Sequence, residues 1–400
     1  MNRMMKAVQE SGKKRSKTSW VILAGYMLIG AACGIIVMEY LAHLEAEGVP
    51  GLGRLALACL MIVCMYACLI LQIIIHEAGH LVFGLATGYK FSSFRIFNLM
   101  LIRENGKLRL RRMSLAGTGG QCLMCPPDMK DGTMPFMLYN LGGSIMNLLS
   151  AVLLLGPALS CPRGSAGWVI LWYLVIIGVA YAVINGFPLG AGPVNNDGRN
   201  VLDMMQSPEA VRAFWLQMKV GEMISRGVRV RDMPEEWFTE PSGEGMNNGL
   251  IAHTGALKCS RLMDERRFEE ADAMMERMLK GENGLVGLSR MVMTCDRIYA
   301  ELIGQNRQER VEKLLTEEQK KLMKSMKSSP EVLRTEYALA LLSENNAEKA
   351  ETIRKQFDKV IRTYPYRGEA EGERELMEMA AARAAERTPA EPQKESITHD

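Results

Sequence analysis

Strong charge of either sign is missing from this sequence. Its 48 Lys and Arg nearly balance its 45 Asp and Glu, leaving +3, and no basic motif with interleaved aromatics occurs. Nothing therefore argues for a nucleic-acid ligand. Cysteine is present but lacks the pattern of a disulfide framework. The count of nine is odd, and Cys33, Cys59, Cys64 and Cys68 lie inside apolar runs, so a reducing or lipid environment is expected. Cys122 and Cys125 form a single C-x-x-C ahead of Pro126 and Pro127; a zinc knuckle needs a second ligand pair, and none lies nearby. Long apolar runs are missing from the second half. Hydrophobic residues make up 48% of the chain, yet nearly all long runs precede Asn195, and the remainder is dense in Glu, Lys and Arg. That asymmetry reads as a membrane half followed by a soluble half.

A basic N-terminus over residues 1–19 carries Arg3, Lys6, Lys13, Lys14, Arg15 and Lys17 and precedes an apolar run over 20–42. The run is too long for a signal-peptide core and ends in no A-x-A site, so a retained anchor is expected. Further runs over 52–87, 134–159 and 167–187 complete a bundle of four spans. Between the second and third runs, residues 88–132 contain alternating segments over 89–97 and 107–113, with the turn dipeptide Asn105-Gly106 before the latter. A small β insert against the membrane face is expected. It is basic (Lys90, Arg95, Arg103, Lys107, Arg109, Arg111, Arg112), whereas the loops over 43–53 and 161–166 carry one basic residue each at most. The positive-inside rule then puts both termini and the insert in the cytoplasm.

From 199 to 387 the chain has the pattern of a cytoplasmic helical domain. Residues 257–279, broken near 264–267, and residues 337–361, broken near 344–346, each read as a helical hairpin of the tetratricopeptide (TPR-like) kind. The end, 388–400, has the composition of a disordered tail. The fold expected is mainly α: a polytopic helix bundle, a small β insert and a C-terminal helical-repeat domain.

The strongest local signal is His76-Glu77-Ala78-Gly79-His80. Positions i and i+4 share a helix face, so both imidazoles reach one zinc ion. Glu77 then acts as general base toward water at the metal. A membrane helix merely ending in polar residues would not resume with the apolar run from Leu81, nor hold two of the chain's five histidines. Ionisable groups are expensive in a membrane and are usually functional. A catalytic zinc takes three protein ligands. The strongest candidate for the third is Asp197 in Asn195-Asn196-Asp197-Gly198, which follows the fourth span and returns a carboxylate to the same membrane face. That tetrapeptide also has turn composition, and Asp128 and Asp131 are rivals.

With these residues in view, the sequence resembles the site-2 protease family of intramembrane zinc metalloproteases, peptidase family M50. His76-Glu77-Ala78-Gly79-His80 is similar to the family's H-E-x-G-H helix, and Gly143-Ser144-Ile145-Met146-Asn147 to its G-x-x-x-N motif. Asn185-Gly186-Phe187-Pro188 with Asp197-Gly198 is similar to its N-x-x-P…D-G motif, with a longer spacer over 189–196. The resemblance spans about 52 to 202. It implies zinc held by His76, His80 and Asp197, Glu77 catalytic, and Asn147 as a candidate for stabilising the oxyanion or holding substrate. Asn147 and Gly142-Gly143 also suit plain helix packing. The compact loops are like those of bacterial members.

The function expected is hydrolysis of peptide bonds in membrane-anchored protein substrates, with strand addition to the insert as a way to hold them extended. The alternative is an inactive membrane-tethered adaptor that binds a protein partner through its helical domain. A small transporter is weaker, since four spans are few and no internal repeat is visible.

Overall fold

The computed structural model describes residues 24–25, 27–104, 106–113, 119–188, 195–241, 243–281 and 283–387. Four of its helices are long and apolar enough to cross a membrane: α1 (Met27–Ala46), α2 (Gly51–Ala86), α3 (Met137–Ser160) and α4 (Ala166–Gly186). The expected basic N-terminus over 1–19, the start of the first run and the tail over 388–400 lie outside the described residues. α1 continues to Ala46, past the expected end at residue 42. Leu44 is still buried there, and the chain turns only at Gly48, with φ +77°.

α2 is 36 residues long and has no internal proline, so it runs for about 54 Å at the helical rise. That exceeds a hydrocarbon core of about 30 Å, and its C-terminal turns meet the sheet and not only other spans. Small residues bring the spans together. A Cβ at Gly79 of α2 would collide with the Gly142 carbonyl of α3 and lie 2.8 Å from Met146 Cβ. A Cβ at Gly142 would in turn lie 2.8 Å from the Gly79 carbonyl oxygen. Where lipid leaves no hydrophobic drive between helices, close backbone contact of this kind is what holds them.

The insert is a four-stranded antiparallel sheet: β1 (Lys90–Ile96), β2 (Leu99–Glu104), β3 (Lys107–Arg112) and β4 (Gly120–Cys125), in the order β3-β2-β1-β4. The two alternating segments appear as β1 and β3. Glu104 pairs with Lys107 across the expected turn, where Gly106 has φ +79°; Asn105 lies outside the described residues. β4, with sequence GQCLMC, has neither alternation nor β-branched residues. It is a strand because β1 pairs with it, across an irregularity between Phe91 and Ser93.

After α4 the chain forms α5 (Asp197–Gln206) and α6 (Pro208–Ser225), which pack on each other and, through α6, on β4. The two expected hairpins form, as α7 (Gly249–Asp264) with α8 (Phe268–Leu279) and as α12 (Pro330–Leu342) with α13 (Ala347–Ile361). Their turns hold Arg266 and Asn345 at φ +65° and +50°. Between the pairs lie α9 (Gly287–Ile303), α10 (Gln308–Leu314) and α11 (Glu317–Ser325). One apolar core rich in methionine, including Met274, Met275, Met291 and Met293, joins them. The last helix, α14 (Arg367–Arg387), returns to α6. Just before it, the Thr363 carbonyl accepts from the Arg112 amide at 3.2 Å, so the helical domain is tied to the sheet beside the membrane half.

Gly79→Ala should lower the melting temperature in detergent, by the roughly 1–3 kcal/mol of an overpacked contact. Gly156→Ala, on α3 where a Cβ meets nothing within 4 Å, should be neutral or slightly stabilising. Equal melting of the two variants would contradict this account of the α2–α3 contact.

Candidate metal centre

The helical period puts His76 and His80 one above the other on α2. Their rings meet edge to face, 4.8 Å between centroids, with the two Nε2 atoms 3.2 Å apart. Asp197 is the first residue of α5, and its neighbours explain how it reaches them. The Asn196 carboxamide accepts from the Arg199 amide at 2.9 Å, capping α5. It also donates to the carbonyls of Ile184 and Phe187, at 2.7 and 2.6 Å, pinning α5 to the end of α4. Any side chain at Gly198 would strike the Gly186 carbonyl. The Asn-Asp-Gly sequence is thus a cap, a candidate ligand position and a close contact, and a helix start where turn composition suggests a loop. Residues 189–194 of the longer spacer lie outside the described residues.

Asp197 Oδ2 lies 3.1 Å from His76 Nε2 and 3.4 Å from His80 Nε2. A tetrahedral ion bonded at about 2.0–2.1 Å spaces its ligand atoms about 3.3 Å apart, so the three atoms already stand at the edges of such a tetrahedron. Among the described residues, His76, His80 and Asp197 are the group that could hold a metal ion. Asp128 and Asp131 take no part in it.

The partners of the outer nitrogens set the tautomer of each neutral ring. His80 Nδ1 lies 2.7 Å from the Tyr139 carbonyl oxygen, which can only accept, so Nδ1 holds the proton. His76 Nδ1 lies 2.7 Å from Asn147 Oδ1. The Asn147 nitrogen faces two oxygens of Gln72, the carbonyl at 2.9 Å and Oε1 at 2.7 Å, so its oxygen faces His76 and accepts. In its neutral form each ring therefore turns its Nε2 lone pair toward Asp197, in the tautomer that metal-binding imidazoles adopt. A single proton would satisfy one of these contacts; a cation satisfies all three.

Asn147 is fully buried, and both of its donor hydrogens are used on Gln72. In this arrangement its oxygen faces His76 and no free donor points into the cavity. Gly143, one turn earlier, has the matching task. A Cβ there would lie 2.5–2.6 Å from the His76 ring atoms, so the G-x-x-x-N spacing clears room for the ring and then holds its far nitrogen.

Glu77 is buried beside the triad and packs on Gly120 of β4, where a Cβ would lie 2.5 Å from Glu77 Oε1. All four side chains line one cavity of about 450 Å³. Its other walls include Gln121 and Met124 of β4, Phe214 and Met218 of α6, and Tyr366 at the entry to α14. Arg95 of β1 is fully buried nearby, donating to the Phe97 carbonyl at 2.7 Å. Burial pulls its pKa down, opposed by the fields of Glu77 and Tyr366.

Four residues here were not singled out from sequence for the site. Gln72 had a readable signal: a carboxamide one helical turn before His76 in an otherwise apolar run. Arg95 was visible only as one basic residue among many. Tyr139 acts through its backbone, and Tyr366 arrives from a distant helix, so neither leaves a local mark. Cys122 and Cys125, three apart on a strand, point to opposite faces and form no ligand pair. Burial pushes the Cys122 thiol up to about 12. Comparison of the chain with family models, curated proteins and solved structures finds no match.

Gly143→Ala should displace the His76 ring and weaken metal uptake at least tenfold, while far-UV circular dichroism stays at the wild-type level. Wild-type metal affinity in this variant would contradict the role given to Gly143.

Proposed function

We propose that this chain is an intramembrane zinc metalloprotease that hydrolyses peptide bonds of membrane-anchored proteins, as its resemblance to the site-2 protease family implies. The observation that carries the reading is the convergence of two imidazole lone pairs and a carboxylate oxygen at 3.1–3.4 Å, with a buried Glu77 on the same cavity wall. Two nitrogens and one oxygen are a donor set that suits zinc, and three protein ligands is the number found in catalytic zinc sites. His76, His80 and Asp197 would hold the ion. The chemistry a bound zinc supplies is Lewis acidity, toward a scissile carbonyl and toward water.

The chain's own residues do the rest. Glu77 takes the proton from the attacking water and returns it to the departing amide nitrogen. Asn147 and the Tyr139 carbonyl keep the two imidazoles in one tautomer throughout. β4 is an edge strand whose residues Gly120 to Met124 line the cavity, which favours an unwound substrate segment pairing along it. A helix hides its own peptide groups, and an added strand exposes them at alternate positions.

His76 lies about 38 Å along α2 from Gly51 at the helical rise, farther than the hydrocarbon core is thick. The site thus belongs near the face that carries the sheet, and the basic insert argues that this face is cytoplasmic. In this reading the protein is a multi-pass cell-membrane enzyme with both termini in the cytoplasm. The α7–α8 and α12–α13 hairpins, similar to tetratricopeptide-type pairs, favour an added role for the helical domain in recruiting a protein partner or substrate.

Glu77→Gln tests the chemistry. The variant should take up zinc as the wild type does yet cleave a membrane-anchored reporter in proteoliposomes at least about 100-fold more slowly, the usual worth of a general base. Cleavage at the wild-type rate would remove Glu77, and with it the proposed mechanism.

A further inference from the structure

Gln72 is a buried carboxamide in the middle of a membrane helix, fully shielded from solvent. Leucine at that position would carry no polar burial cost. Its partners set a one-way order of hydrogen bonds. The Leu174 carbonyl of α4 can only accept, so the nitrogen of Gln72 must face it, at 2.8 Å. The Ser150 hydroxyl spends its hydrogen on the Asn147 carbonyl at 2.8 Å and so can receive the other amide hydrogen of Gln72, at 3.4 Å. With its nitrogen fixed, Gln72 turns Oε1 toward Asn147, which donates at 2.7 Å and must then present its oxygen to His76 Nδ1 at 2.7 Å. Every donor in this row is dictated by the one before it, and the row begins at a backbone lone pair that cannot turn round. Room is kept for it on α4: a Cβ at Gly178 would lie 2.9 Å from the Gln72 nitrogen and 3.2 Å from the Asn147 carbonyl oxygen.

We propose that Gln72 is a positioning residue for the metal centre, fixing the tautomer and aim of His76 through Asn147 and tying both to α4. The proposal rests on the metal-centre reading above. Removal of the Gln72 carboxamide leaves Asn147 one acceptor, the Gln72 carbonyl, and nothing to prevent it from turning its nitrogen toward His76. His76 would then hold its proton on the inner nitrogen part of the time and be lost as a ligand for that fraction.

The test uses Co²⁺ as a visible probe of the site in the detergent-purified full chain, with affinity from competition by a chelator. Gln72→Met, which keeps the volume and loses all three side-chain hydrogen bonds, should bind Co²⁺ about 10–100-fold more weakly, the usual effect of losing a partner behind a ligand, and its visible spectrum should change. Gln72→Glu, whose buried neutral carboxyl can still donate to Leu174 and accept from Asn147, should restore most of the affinity. Gly178→Ala, which presses on Gln72 from α4, should weaken binding in the same direction and serves if Gln72→Met does not fold. A residue that only glues helices would lower the melting temperature and leave Co²⁺ affinity and spectrum unchanged, and that result overturns the proposal. A wild type that takes up no Co²⁺ overturns the metal-centre reading and this proposal with it; a wild type that binds beside an unaltered Gln72→Met overturns the proposal alone.

Discussion

Two imidazole lone pairs and a carboxylate oxygen pointing at one another repel unless something positive sits between them. In this protein they are held 3.1–3.4 Å apart among buried side chains, where repulsion is screened less than in open water. Each surrounding feature reads as a means of sustaining that arrangement. The outer nitrogens are given acceptors, so in each neutral ring the proton stays on the outer side and the inner nitrogen keeps its lone pair. Asp197 is brought from a separate helix by a cap that also ties it to α4. Glu77 is kept beside the cluster against a glycine of the sheet, and not within it.

Glycine does much of the placing. Gly79 and Gly142 let α2 and α3 touch backbone to backbone, Gly143 admits the His76 ring, Gly178 admits Gln72, Gly120 admits Glu77, and Gly198 lets α5 reach the end of α4. None of these positions has positive φ, so their reason is space and not backbone conformation. Packing in a membrane has no hydrophobic drive between helices, and close contact of this kind serves in its place. One consequence is that the site and the bundle are the same construction: the contact that fixes α3 on α2 also sets the distance from Asn147 to His76.

The C-terminal helical half is joined to this construction at a few points. The Thr363 carbonyl bonds to β3, Tyr366 enters the cavity wall, and α14 returns to α6. The helical domain is thus a wall of the cavity as well as a body of its own.

The spans and the two histidines were legible because their signals are local: about 20 apolar residues for a crossing, and a spacing of four for a shared helix face. The helix pairs were legible for the same reason, from periodicity broken at 264–267 and 344–346. β4 was not, because its strand character comes from pairing with β1. Asn147 was placed at the site by motif likeness, but its contacts were not legible, since which end of a carboxamide faces a histidine depends on Gln72, and Gln72 in turn on Leu174 of another helix. Tyr366 had no sequence signal at all; its place in the cavity follows from how α14 folds back.

The central claim is that His76, His80 and Asp197 together hold one zinc ion. The most direct measurement is the zinc content of the detergent-purified protein by mass spectrometry, beside His80→Ala and Asp197→Ala. The account predicts about one zinc per chain in the wild type, the stoichiometry of a single three-ligand site, and loss of it in both variants. A wild type without zinc after reconstitution, or full zinc retained in Asp197→Ala, would contradict it.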